Sequence, residues 1–540
     1  MASILQTFVF ALAGFAIVEC GKPSLTDPLG LLEETEFVGK GQNYVSGSVW
    51  PKPQRESRSD KYFAVDPAKF KFSVAGQQSS VLSLAMARYM PLTFPDTKVS
   101  TEWKMEQVET LQIKVSNEYA PMELSTDESY ELDIQSPNSM LTATTVWGAL
   151  RGLETFSQVV HQNESGSYFV QMNQIVDFPR FHHRGFLIDT SRHFIALPII
   201  LKFVDAMAYS KFNVLHWHIV DNQAFPYVSK TFPTLHSQGA WNNKTHIYTP
   251  DDVQTVIQYA ANRGIRVMPE FDTPGHTRSW YSIPNLLTKC YSGSKPDGSL
   301  GPIDPTIDAN YDFLKSFFTE ISEVFPDYYM HLGGDEVSFY CWQTNPIIKK
   351  WMDEHGVQNY SALEQYYEQK LIDIINGLKK GYVIWQEVID NGVKVKQDTI
   401  VNVWKGGWQN EMAKVTAQGY RAILSSCWYL NYISYGPDWP NYYKCDPQDF
   451  TGTKEQKDLV IGGTGCMWGE WVDGTNLLSR TWGRALAVGE RLWSSKETND
   501  AKEAEGRIWE HRCRYLRRGI QAENVVQSQY CLHEWRNPRG

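Results

Sequence analysis

The sequence predicts an α/β protein, a (β/α)8 TIM barrel preceded by a small α+β domain, and three observations predict it. Short apolar runs recur eight times in the C-terminal two-thirds of the chain, separated by helical stretches, which is the grammar of a parallel sheet buried on both faces. The residues that follow those runs are polar or aromatic, as at the C-terminal ends of barrel strands. At 540 residues the chain also exceeds what one core usually holds, so a second, smaller domain is expected.

Residues 1–20 are expected to form a signal peptide. Ile4 to Val18 is apolar over about the length of a signal h-region, shorter than the roughly 20 residues of a membrane span, although no Lys or Arg precedes it. Residues 21–175 alternate β-rich runs (Gln112–Val115, Tyr130–Ile134) with one good helical pattern, Thr144 to Val160, and form the small domain. Residues 176–540 form the barrel. Its eight runs are Gly185–Ile188, Val214–Ile219, Ile265–Met268, Tyr329–Leu332, Tyr382–Ile384, Ile400–Val403, Ala422–Leu424 and Val460–Gly463.

A net charge of -10 with no basic cluster argues against nucleic acid and against a polybasic membrane contact, and fits a lysosomal or secreted enzyme. Cys20 leaves with the signal peptide, so seven cysteines remain. No Cys-x-x-Cys pair suggests zinc, whereas Cys290 with Cys341, Cys427 with Cys445 and Cys513 with Cys531 would each close a modest loop, leaving Cys466 buried and reduced. Sequons at Asn163, Asn243 and Asn359 fit glycosylation in a secretory lumen.

The run His331-Leu-Gly-Gly-Asp335-Glu336 ends a strand-like stretch with two glycines and two adjacent carboxylates. Adjacent acids raise each other's pKa, so their placement behind a buried strand points to chemistry. The bland alternative makes Asp335 the N-cap of a helix running through Val337 to Tyr340, with Glu336 in its first turn. The other strand ends decide between them. They carry Arg192 and His193, then Asp221, then Glu270, Asp272 and His276, then Trp385 and Glu387, Trp404 and Lys405, Trp428 and Tyr429, and Trp468 and Glu470. One charged residue after a strand is usually a solvated loop; eight such ends converging on one barrel mouth form a site. Indoles suit the apolar faces of a sugar ring, and carboxylates and arginine suit its hydroxyls, so glycoside hydrolysis is the natural chemistry. The usual retaining scheme sets two carboxylates about 5 Å apart across the bond. Neighbours in sequence are ill placed to straddle a substrate, which favours Glu336 as acid with a nucleophile supplied by the substrate's own 2-acetamido group.

These residues resemble family 20 of the glycoside hydrolases, the β-N-acetylhexosaminidases. The strongest stretches are Arg184 to His193, His216 to Asp221, Pro269 to His276, His331 to Glu336 and Met467 to Glu470, within a match that runs through nearly the whole chain. The resemblance implies an exo-acting enzyme that removes terminal β-linked N-acetylglucosamine or N-acetylgalactosamine with retention, through an oxazolinium ion. It implies that Glu336 protonates the glycosidic oxygen while Asp335 orients the acetamido N–H. Burial among indoles and the charge on Asp335 would raise the Glu336 pKa and give an acidic optimum. Trp385, Trp404 and Trp468 would wall the acetamido group, Tyr429 would donate to its carbonyl, Arg192 and Glu470 would hold sugar hydroxyls, and Asp221 and His276 would support the site. No cofactor or metal is implied, and the partners are a glycan substrate and a second subunit, identical or related.

The chain departs from the family pattern at Asn431 and Tyr432, where the α subunits have Asn-Arg and the β subunits Asp-Leu. Without that Arg it attracts an anionic substrate less; without that Asp it does not repel one. Two other functions fit parts of the sequence. A metal-dependent hydrolase would use His216 and His218, which share one face of a strand, with His276 nearby. A silent glycan-binding protein would have lost its acid, and Glu336 is present.

Overall fold

The computed structural model describes residues 46–96, 105–163, 166–527 and 529–531. The expected signal peptide lies outside the described residues.

The first part of the fold is a seven-stranded mixed sheet that ends with the strand Tyr168–Asp177. Two helices, Ser80–Thr93 and Val146–Val159, accompany it. The second begins at Thr145, whose side chain accepts a hydrogen bond from Gly148 N, and it is buried at all its positions, Arg151 and Glu154 included. A helix buried all round must be covered on every side, and here the barrel supplies the second cover.

Charge pairs carry that junction. Glu128 accepts from Arg184 Nη2 at 2.6 Å and from Arg151 Nε at 2.8 Å, all three side chains being buried. Lys211 Nζ donates to Asp177 Oδ2 at 2.8 Å and to the Tyr130 hydroxyl at 3.0 Å, and Trp493 Nε1 donates to Asp177 from the barrel side. Arg518 pairs with Glu154 at 2.9 Å.

The barrel is closed by eight parallel strands: His183–Asp189, Val214–His218, Arg266–Glu270, Tyr329–His331, Gly381–Trp385, Ile400–Val403, Arg421–Leu424 and Val460–Met467. Each contains or overlaps one of the eight apolar runs. Inward-facing residues stack in layers. Val214, Met268, Tyr329, Val383, Ile400 and Ile423 fill the bottom. His216, Glu270, His331 and Asn402 form a buried polar layer, and Leu187, Trp385, Cys466 and Trp468 make an aromatic top. The helical layer is less regular than the strands: the fifth strand is followed only by the single turn Glu387–Asp390.

Disulfides join Cys290 to Cys341, Cys427 to Cys445 and Cys513 to Cys531, and Cys466 is free and buried under the mouth. Among the described residues no helix is long and apolar enough to cross a membrane. Asn163, Asn243 and Asn359 are exposed.

Candidate active site

The loop after the fourth strand is shaped by its two glycines. Gly333 and Gly334 take φ values of 74° and 93°, and a Cβ on Gly333 would lie 1.7 Å from Asp272 Oδ1 while one on Gly334 would lie 2.4 Å from Val388. Only glycine lets this backbone lie flat on the third strand's end, where Gly334 N donates to Asp272 Oδ1 at 2.9 Å. Asp335 caps no helix: the next one starts at Tyr340, and Glu336 itself has φ 51°, a conformation that costs energy for a side chain with a Cβ. His276, facing it from the third loop, is held at φ 54°. Two strained residues that point at each other are the local sign of a site.

Asp221, His276 and Glu336 form a line. His276 Nδ1 lies 3.1 Å from Asp221 Oδ1, and its Nε2 lies 3.6 Å from Glu336 Oε2 and 3.9 Å from Asp335 Oδ2. Burial works against a charge on His276, but Asp221 and Glu336 outweigh it and hold the imidazole well above its ordinary pKa. Asp221 is itself kept well below the usual carboxylate range, because hydrogen bonds from His218 and His276 overcome its burial.

The expectation that Glu336 sits among indoles with a raised pKa is overturned. Its side chain is 58% exposed, and the His276 ring beside it lowers its pKa. The side chain lies against His276, open to solvent, and what burial it has raises its pKa less than His276 lowers it. Burial acts on its neighbour. Asp335, only 12% exposed, is raised by desolvation, and Asp272, which hydrogen-bonds to it, is pushed well above its usual value by burial and then by the charge of Asp335. Both facing carboxyls are therefore raised, and the pair holds a proton more readily than two free carboxylates would.

The indoles stand where the strand ends put them. Trp385 and Trp468 have ring centroids 6.2 Å apart, Trp385 and Trp404 6.5 Å, and Trp404 and Tyr429 6.1 Å. Trp385 is pinned by its Nε1, which donates to Glu270 at 2.9 Å, and Trp404 by the same bond to Glu387. Burial keeps the Tyr429 hydroxyl protonated. Arg192 donates to Asp189 at 3.0 Å, pairs with Asp221 at 2.8 Å and stacks over Trp468; Glu470 lies 4.0 Å away at the exposed rim. Among the described residues Asn431 Oδ1 is buried without a hydrogen-bond partner, and Tyr432 stacks on Tyr429.

Sequence reasoning left three supports unassigned. Asp189 holds Arg192 and accepts from Gly469 N, tying the first loop to the last. Asp272 positions Gly334 and shares a proton with Asp335. Glu270 accepts from Trp385 Nε1, hydrogen-bonds to His216 at 2.7 Å and pairs with His218 Nδ1 at 2.8 Å. All three end a strand or lie just beyond it, where the sequence already places them; the partner each one meets is what the sequence does not show.

Among the described residues two groups bring possible metal ligands within 4.8 Å of one another, His216 with Glu270 and His331, and Asp272 with His276 and Asp335. Their chemistry is that of proton sharing. His218, between Glu270 and Asp221, carries the charge: although burial opposes it, Glu270 and Asp221 push it up to about 10. His331 is neutral, pushed by burial down to about 3.

The profile of the glycosyl hydrolase family 20 catalytic domain matches residues 181–496, and a beta-acetyl hexosaminidase-like profile matches residues 49–159. The chain is 48% identical to the beta-hexosaminidase subunit alpha of Rattus norvegicus over 90% of its length and 96% of that protein's, and 49% identical to the subunit beta of Homo sapiens over 90% of each. Among solved structures, Flavobacterium johnsoniae chitobiase superposes with a TM-score of 0.77 at 28% identity, covering 89% of this chain and 73% of that one. A Streptomyces plicatus N-acetyl-beta-hexosaminidase superposes with a TM-score of 0.71 at 22% identity, covering 89% and 97%.

Proposed function

The chain belongs to glycosyl hydrolase family 20 and is an exo-β-N-acetylhexosaminidase of the substrate-assisted type, and from that premise we propose the roles of its residues. Glu336 is the general acid and base, and Asp335 the carboxylate that orients the acetamido N–H. Trp385, Trp404 and Trp468 press the acetamido group against the anomeric carbon, and the Tyr429 hydroxyl donates to its carbonyl oxygen. That oxygen attacks C1 as the C1–O bond breaks, and the proton of Glu336 goes to the departing oxygen. Asp335 faces the positive charge of the oxazolinium ion, and water activated by Glu336 then opens it with net retention. Arg192 and Glu470 hold ring hydroxyls.

The observation that carries these roles is the pairing of the two acids with different surroundings, Asp335 buried beside Asp272, Glu336 open to solvent with His276 Nε2 3.6 Å away. An exposed acid with a lowered pKa is a poor proton donor. Substrate, by filling the mouth and removing water from Glu336, raises its pKa at the moment it is needed. His276, braced by Asp221, takes up the charge that Glu336 carries between the two steps.

Three disulfides and exposed sequons support a secretory route to the lysosome or out of the cell. Relatives named as subunits support a dimer, with a second copy or with a related subunit. The test is hydrolysis of chromogenic β-N-acetylglucosaminide, its 6-sulfated form and the β-galactosaminide from pH 3 to 8, with a thiazoline as inhibitor. Acidic activity blocked by the thiazoline is expected, and the sulfated-to-neutral ratio reads the effect of Asn431 and Tyr432. Activity that the thiazoline leaves untouched would refute the acetamido nucleophile.

A further inference from the structure

Tyr429 reaches the mouth at the end of a tight turn. The seventh strand stops at Leu424, and Trp428 N donates to Ser425 O at 2.8 Å, so Ser426 and Cys427 are the central residues of a β-turn that delivers Tyr429. Before the turn the chain is fastened to the sixth strand, where Ser425 N and Ser426 N donate to Val403 O at 2.8 and 3.2 Å. Beyond it, Cys466 N donates to Trp428 O and Leu430 N to Cys466 O, both at 2.8 Å, which lays Tyr429 beside the eighth strand. Among the described residues the backbone of Cys427 itself makes no hydrogen bond. Its sulfur holds it instead, through the bridge to Cys445.

The far end of that bridge is anchored. Cys445 follows the helix Trp439–Lys444, and its carbonyl accepts from Arg491 Nε at 3.2 Å. The next residue, Asp446, pairs with Arg180 at 2.9 Å and with Arg491 at 3.0 Å. The same helix presents the Tyr442 carbonyl, which accepts from Trp428 Nε1 at 3.1 Å. Between the two cysteines the chain is less secure. Arg484 donates to Leu430 O at 2.6 Å and to Tyr432 O at 3.2 Å, but residues 432–437 are all exposed, Tyr435 fully so. An exposed loop of this kind opens at low cost, and a clamp at its root keeps that motion from the residue beside it.

We propose that the Cys427–Cys445 disulfide is a positioning element for catalysis, fixing the turn so that the Tyr429 hydroxyl meets the acetamido carbonyl as that oxygen attacks C1. It rests on Tyr429 being the donor assigned above. The requirement is geometric. A hydrogen bond tolerates about half an ångström of stretch, and a misplacement of about 1 Å can cost a hundredfold in rate. Stacking of Tyr429 on Trp404, with the rings 23° from parallel, sets the plane of the phenol but lets it slide within that plane. The backbone must therefore set how far the hydroxyl reaches, and the bridge holds the one residue of the turn that no hydrogen bond holds.

The test is a double-mutant cycle in the full chain: wild type, Cys427→Ala with Cys445→Ala, Tyr429→Phe, and all three changes together. On chromogenic β-N-acetylglucosaminide, opening the bridge is expected to lower kcat by about tenfold and to change KM by less than about twofold. A thiazoline, which mimics the cyclised acetamido group, should weaken by a factor similar to that on kcat. In the Tyr429→Phe chain the same opening should change kcat by less than about twofold, because the group it positions is gone. No loss of kcat on opening, or an equal loss in both backgrounds, makes the bridge a brace of the fold and overturns the proposal while leaving Tyr429 as the donor. A Tyr429→Phe chain that keeps wild-type kcat refutes the donor assignment, and the proposal falls with it. Should the alanine pair not fold, the wild type is reduced stepwise, each bridge being followed by peptide mass; the half-buried Cys427 gives the reductant access. Activity lost in step with the 427–445 bridge supports the proposal, and activity that survives its opening overturns it.

Discussion

The junction between the small domain and the barrel and the mouth of the barrel both bury carboxylates, but they treat them in opposite ways. At the junction each has a cation: Glu128 has Arg151 and Arg184, Asp177 has Lys211, Glu154 has Arg518. Arg184 and Arg151 hold Glu128 below its ordinary pKa in spite of its burial. Around the mouth Asp189, Asp221 and Glu270 have basic partners too, but other acids face acids. Asp335 faces Asp272, and behind them Glu364 and Glu368 share one side of the helix Tyr360–Gly377 with Glu387 nearby. Among the described residues Asp335 Oδ1 and Glu368 Oε1 are buried with no hydrogen-bond partner. Paired charges fix where two domains meet, whereas unpaired ones store the electrostatic tension that a proton-transfer site draws on.

The largest effect that tests this contrast is Glu336→Gln. Removing the proposed general acid and base is expected to lower kcat by about a thousandfold. Because the side chain is exposed, unfolding free energy should stay within about 0.5 kcal/mol of wild type. A variant that loses stability as well as activity would mean that Glu336 is a structural residue. Glu128→Ala is the converse. It leaves Arg151 and Arg184 buried without a counter-charge, which costs about 3–5 kcal/mol. Urea midpoints measure it, and a loss below about 1 kcal/mol would show that the junction does not depend on this pair. The Glu128 contribution is present above its ordinary pKa of about 4.5 and is lost as pH falls below it, because its folded pKa is depressed.

The difference between the regions also explains what could be read from the sequence. Barrel strands are buried on both faces, so they stand out as apolar runs, and residues such as Trp385 and Trp468 stand out because they end them. The Gly-Gly-Asp-Glu run is legible for the same reason. Side-chain direction is not: Glu336 has a positive φ and lies open to solvent, after Gly333 and Gly334 that lie against Asp272, a contact across 62 residues of sequence. Long-range pairs such as Glu128 with Arg184 leave no local trace. Neither does the loss of a full helix after the fifth strand, because a loop of mixed polarity reads the same either way. Glu364 and Glu368 did leave one. They align at four-residue spacing with Ile372 on a helix whose adjacent row is Leu363, Tyr367, Leu371 and Ile375. A glutamate within an apolar stripe is ordinarily discounted as a solvated face, and here it is buried.

Glu364 gives the smallest and most discriminating prediction. Burial and then the charge of Glu387 raise its pKa to about 8, with Lys405 opposing. A carboxyl that binds its proton more tightly when folded favours the folded state at low pH. That advantage is lost as pH rises from about 4.5, where the unfolded chain ionises, to about 8, where the folded one does. The mouth therefore makes the protein more stable in acid, the reverse of the Glu128 dependence. Glu364→Gln keeps an oxygen for the hydrogen bond from Asn391 Nδ2, which Glu364 accepts at 2.7 Å, and cannot ionise. It is expected to match wild type at pH 4.5 and to gain about 1 kcal/mol at pH 7.5, read from unfolding curves at the two pH values. Equal stability at both would mean that water or Lys405 already relieves the charge, and that the tension at the mouth is confined to Asp335 and Asp272. A gain at pH 7.5 without a change in turnover would place Glu364 outside the proton-transfer line of Asp221, His276 and Glu336, as a residue that sets where the enzyme is stable but not how it works.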